Sequence, residues 1–351
     1  MTSEERSELI RDYPTAHQVA VLALFGLPAL AILVTYARLP AADTYNVSKS
    51  GLEGGLSRTL LFTNFPFAFA AVSLIGIAVL RVRRVIAAES RTLLTAVAFA
   101  GVLLCVFTAL PGVVDQDDLD AKPVNLIPAL GGLIAIVLTG LSIRLDHRPY
   151  RLPWTGRDHV GLALIGVLAL ISLPWFVGEL GFYIDDIPVI GRIFMASEIP
   201  PGEPLTAVHL GHHHGFDGFL FVTTSLILGR LVRSDTGTRL AGVLRAYLAL
   251  MFAYGAANLV NDAWLEQIVK RGSADYRLPS FLRPELSFGW TIMLAGAVVA
   301  WTLLFRPTNT VHHHAEADVP EEARAREAAL GLDGGGHGAK ATSGRRRGHP
   351  R

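Results

Sequence analysis

The chain has 351 residues, of which 51% are hydrophobic and 17% charged, with a mean hydropathy of +0.41, whereas a soluble domain carries about 25% charged residues. That balance excludes a water-soluble globule, and a net charge of +1 provides no broad basic field for nucleic acid. The charges sit in short clusters between long apolar runs, as in a polytopic membrane protein. A single cysteine, Cys105, excludes an internal disulfide and any multi-cysteine metal knuckle.

Glu4, Glu5, Glu8 and Asp12 crowd the start of the chain, where a cleaved signal is usually basic, so the first apolar run is expected to remain as a helix. Crossing roughly 30 Å of hydrocarbon takes about 20 helical residues. Runs of that kind occur near 17–36, 60–80, 92–111, 125–143, 158–177, 214–233, 240–262 and 286–305. They are continuously apolar rather than alternating with period two, and a segment in lipid must satisfy its own backbone. The expectation is an all-α membrane helix bundle of about eight transmembrane helices, residues 17–305, between an N-tail (1–16) and a C-terminal tail (306–351).

In chain order, the first span holds Pro28 and the second holds Asn64 and Pro66 near its start; the third ends at Pro111. An outer loop with Asp115, Asp117, Asp118 and Asp120 follows, reading as a solvated acidic surface, and the fourth span opens with Pro128. Prolines at such places kink helices or mark their ends. The fifth span contains Pro174 and ends at Glu179, with Asp185 and Asp186 beyond.

The densest chemistry precedes the sixth span, where residues 208–218 read VHLGHHHGFDG. In a helix, His209, His213 and Asp217 are spaced i, i+4, i+8 and share a face, with His212 beside them. Imidazoles with a carboxylate suit Zn, Fe, Mn, Ni or Cu, and no thiol is near to make a soft site. The bland alternative is a polar helix start whose imidazoles bond carbonyls and water. The seventh span closes on Asn258, Asn261 and Asp262, with Tyr254 a turn earlier; these either serve the site or bond helices together. The loop before the eighth span carries Lys270, Arg271, Arg277 and Arg283, suited to anionic headgroups or a phosphorylated lipid.

After Arg306 the composition turns to Ala, Glu, Gly, His and Arg, with GGGHG at 334–338 and Arg345, Arg346 and Arg347, too polar to bury a core and so expected to be disordered. His312, His313 and His314 read as a solvated segment, and His17, His147 and His159 as interfacial residues. With both termini inside, the cytoplasmic segments hold 21 Lys and Arg and the outer loops nine, the bias that fixes orientation. This places the histidine stretch outside, in a plasma membrane.

The HxxHH spacing at 209–213 matches one histidine box of membrane di-iron desaturases and hydroxylases, but they carry several boxes and this chain one, which excludes them. No second helix presents a histidine for a bis-histidine haem, and no Walker loop, nucleophile elbow or HExxH occurs. The leading expectation is a zinc-like ion on His209, His212, His213 and Asp217, with His214 as a further possible ligand, and Glu179, Asp262 and Asn258 as catalytic or orienting groups. The protein would then be a hydrolase or transferase for a lipid or lipid-linked anion. The alternatives are a transporter or metal-handling protein and a structural subunit.

Overall fold

In the computed structural model, residues 14–40, 47–115, 118–146, 154–173, 187–188, 213–235, 237–279 and 287–307 are described. They belong to the unit Met1–Thr308; the second unit, Asn309–Arg351, lies outside the described residues, as does the tail from residue 308 on. The described residues form helices joined by short loops, with no strand among them: α1 (Pro14–Arg38), α2 (Gly51–Phe62), α3 (Ala68–Val82), α4 (Ala88–Val106), α5 (Leu126–Leu145), α6 (Gly156–Ile171), α7 (His213–Arg233), α8 (Arg239–Trp264) and α9 (Phe288–Ala300).

Among the described residues, seven helical stretches are long and apolar enough to cross a membrane: Thr15–Arg38, Gly51–Val82, Ala88–Ala109, Pro123–Leu145, Gly215–Arg233, Arg239–Val269 and Phe288–Phe305. The protein is a polytopic membrane helix bundle. The expected fifth span, 158–177, begins as α6, and its last residues lie outside the described part.

Two spans are longer than their apolar runs. α2 and α3 form one rod through a π-helical turn, Thr63–Phe67, that contains Pro66. Proline has no N–H to give the helical ladder, and a π turn absorbs that fault without ending the helix. The rod begins nine residues before the apolar run that marks it, at Gly51 rather than 60, because Ser57 and Arg58, polar by type, are buried. Arg58 lies 5.7 Å from the centre of the Tyr36 ring of α1, a cation–π contact that helps a buried guanidinium. Likewise α8 continues past Asp262 through a second π turn, Leu265–Val269.

Close packing comes from small residues, as expected where lipid tails remove the hydrophobic incentive for helix association. One close crossing joins α7 and α8. A Cβ placed on Gly218 would lie 2.6 Å from the Gly255 carbonyl oxygen, and one on Gly255 would lie 2.7 Å from the Gly218 oxygen. On the α4–α5 pair, a Cβ on Gly131 would meet the Cys105 backbone nitrogen at 2.7 Å. Phe216, Leu220, Phe221, Leu74, Ile75 and Leu248 fill the centre and are fully buried. Leu27, Leu93, Phe99, Leu170 and Phe288, by contrast, are each more than 60% exposed, which suits contact with lipid.

Candidate functional site

Both ends of the bundle are polar, and they differ in chemistry. At one end, arginines from three helices meet acidic and carbonyl groups. Arg81 of α3 pairs with Asp146 at 3.2 Å and donates to the Asp146 carbonyl at 2.9 Å. Arg233 of α7 pairs with Asp158 of α6 and donates to the Leu304 carbonyl at 2.8 Å. Arg245 of α8 donates to the Val232 and Asp235 carbonyls at 3.1 and 2.6 Å. These arginines therefore cap helix C-termini, where carbonyls lack intrahelical donors and the helix dipole favours positive charge.

The opposite end is carboxylate-rich, and it holds the described part of the sequence-derived site. His213 opens α7, so positions 213 and 217 stand one turn apart in one helix. The Asp217 side chain is 4% exposed and acts electrostatically on the Tyr254 phenol of α8. Asp262, 2% exposed, accepts a hydrogen bond from the Gly215 N–H at 2.6 Å. Gly215 lies in the first turn of α7, where free N–H groups and the positive end of the dipole favour an anion. The Gly218–Gly255 crossing brings the two helices close enough for that bond.

Asn258, 4% exposed, donates to the Tyr254 carbonyl of its own helix at 2.9 Å. Asn261 instead donates to the Pro279 and Leu278 carbonyls at 2.7 and 3.4 Å, and Trp264 Nε1 to the Tyr276 carbonyl at 2.7 Å. Asn261 thus holds the basic loop against α8. His209, His212 and Glu179 lie outside the described residues, as do the side chains of His213 and His214. Among the described residues, no group of three or more His, Cys, Asp or Glu side chains is arranged to hold a metal ion.

One further acidic group sits here. Glu266, in the π turn, is fully buried and pairs with Lys270 at 2.8 Å. Asp262, Glu266 and Lys270 are spaced i, i+4, i+8, so the pattern was visible in the sequence; the apolar run ends at 262, however, which placed the last two in a loop.

Asn64, fully buried, donates to the Asn125 carbonyl at 2.8 Å, and Lys122 N–H donates to Asn125 Oδ1 at 2.6 Å. These bonds tie the α2–α3 rod to the start of α5, a structural role. In the adjoining acidic loop, Lys122 lies 3.0 Å from Asp118; that hydrogen bond holds Asp118 below its ordinary carboxylate range and raises Lys122. Both groups are exposed, so the pair adds little stability.

Under Asp217 lies a layer of rings. Tyr254 packs 5.7 Å from Phe221, 6.3 Å from Phe69 and 6.1 Å from Trp290 between centroids, and Phe65 and Phe69 close on Phe221 at 6.0 and 5.5 Å. Comparison of the chain with protein-family models, with curated proteins and with solved structures finds no match.

Proposed function

We propose that the protein is a metal-dependent membrane hydrolase or transferase whose transition-metal ion, zinc-like in its ligand preference, is held at the carboxylate-rich end by His209, His212, His213 and Asp217. The bond from Gly215 N–H to Asp262 at 2.6 Å carries this reading. It places the carboxylate of α8 against the single turn of α7 that runs from position 213 to Asp217, so two positions of the expected ligand set, 213 and 217, and an expected base border the same turn. The described carboxylates do not make a metal site by themselves, and the histidines complete it.

A zinc-like ion held there would supply Lewis acidity and would lower the pKa of water at the site to about 7. Asp262 receives a proton or orients a ligand, Asn258 stands a turn behind it, and Glu179 joins from the segment between α6 and α7. Lys270, Arg271 and Arg277 favour a lipid or lipid-linked anion as substrate. The ring layer formed by Phe65, Phe69, Phe221, Tyr254 and Trp290 supports chemistry at this face over passage of an ion through the bundle.

Elemental analysis of tag-free wild type should find about one metal ion per chain, and His213→Ala or Asp217→Ala should lose it, since a transition-metal site needs three or four protein ligands. Asp262→Asn should retain metal to within roughly 10–100-fold in affinity while losing turnover. Equal metal in wild type and His213→Ala, or loss only in His312→Ala, would refute the site.

The same reading places this face outside the plasma membrane. In a Cys105→Ser background, single cysteines at Ser50 and Ser273 should react with an impermeant thiol reagent from outside, and cysteines at Ser90 and Ser234 should not. The reverse pattern would put the site on the cytoplasmic face.

A further inference from the structure

At the arginine-rich end, two neighbouring residues of α1 each accept a hydrogen bond from an arginine of a different helix. Arg81 of α3 donates to Gln18 Oε1, and Gln18 Nε2 donates onward to Ser142 Oγ of α5 at 3.1 Å. Arg230 of α7 lies 3.2 Å from His17 Nε2 through its NH1 group. Each arginine also meets an aspartate: Arg81 binds Asp146 at 3.2 Å, and Arg230 Nε stands 3.7 Å from Asp158 of α6. The Trp154 ring covers the Arg230 guanidinium at 4.2 Å. Two parallel clamps thus hold the first turns of α1.

Their acceptors differ in one chemical respect. A guanidinium has donors only, so Arg230 can bond His17 Nε2 only when that nitrogen carries no proton. The ring proton is then on Nδ1. The Gln18 carbonyl oxygen accepts at any physiological pH, whereas an imidazole ordinarily changes charge near pH 6.5. Among the described residues, the charged groups near His17 include Arg230 and, behind it, Arg233 of α7; Asp158 of α6; and, through Gln18, Arg81 of α3 with Asp146 after α5.

We propose that His17 is a proton-sensitive latch between α1 and α7, and that Gln18 is its pH-insensitive counterpart. Protonation at Nε2 replaces the acceptor with a donor and sets an imidazolium against the Arg230 guanidinium. That clamp opens; Arg230 keeps Asp158 and Trp154, and at this end of α1 the Gln18 clamp persists. The latch does not depend on the metal reading, since it lies at the other end of the bundle.

The full-length protein in detergent provides the test, by comparing wild type with His17→Gln, which keeps an acceptor but cannot titrate. Between pH 8 and pH 5.5 the melting temperature of wild type should fall relative to that of the variant by at least about 3 °C. Parallel curves would overturn the proposal. Because the variant could fold poorly, a second measurement leaves His17 in place: spin labels at Ala16→Cys and Gly237→Cys in a Cys105→Ser background. The distance distribution between the start of α1 and the turn that follows α7 should broaden and lengthen at pH 5.5 and recover at pH 8; an unchanged distribution would exclude the latch.

Discussion

Asp158→Ala should leave little folded protein. Asp158 is 8% exposed and pairs with Arg233, itself 5% exposed, with Arg230 Nε a further 3.7 Å away. Among the described residues Arg233 has one other partner, the Leu304 carbonyl, so removing the carboxylate takes away the counter-charge they give this buried guanidinium. Breaking a buried pair from one side costs about 3–5 kcal/mol. The same carboxylate also accepts from the Thr155 N–H and hydroxyl at 2.8 and 2.7 Å in a capping box at the start of α6, worth about 1 kcal/mol more. The expected result is a collapse of the monodisperse peak on size exclusion and a large drop in melting temperature. Asp118→Asn, which breaks the exposed pair with Lys122, should change either by no more than about 1 kcal/mol. If Asp158→Ala melts like wild type, the arginine-rich end does not hold α6 to α7 as described.

Gly255→Leu should separate α7 from α8. A Cβ there meets the Gly218 oxygen and the Phe221 Cβ at 2.7 Å and the Val222 nitrogen at 3.2 Å. Two of those three atoms are backbone and cannot swing away, so the helices must part. Overpacking a close interface costs about 1–3 kcal/mol, and a leucine adds several atoms beyond Cβ. The change should also lengthen the Gly215–Asp262 bond, so any metal or activity should fall even in molecules that remain folded. Gly140→Leu is the control, because a Cβ at Gly140 of α5 meets nothing within 4 Å. Equal stability of the two variants would refute the close approach of α7 and α8.

Several features were legible before any coordinates. Long apolar runs cannot form anything but helices in lipid, so the bundle followed from composition and run length. The convergence of residue 217 with 258 and 262 was readable only as shared depth, since nothing in sequence specifies which helix touches which. Gly218 and Gly255 hinted at the contact, as small residues mark membrane helix crossings, but glycine is common in this chain. The lengths of the second and seventh spans were underestimated because Arg58 and Glu266 are charged by type, and a hydropathy pattern stops at charge; burial against Tyr36 and beside Lys270 carries the helices on.

By itself, then, the sequence determined the class of the molecule: a polytopic helical membrane protein, its approximate spans, and a histidine and carboxylate concentration at one end. These follow from local quantities, namely residue type and spacing along one helix. The tertiary structure decided which polar groups meet. It separated Asn261, which holds a loop, from Asp262, which binds the first turn of α7. It joined His17 and Gln18 to arginines 213 and 63 positions away. Such pairings depend on helix crossings set by close backbone approach, and the geometry of a crossing appears only when two helices are seen together.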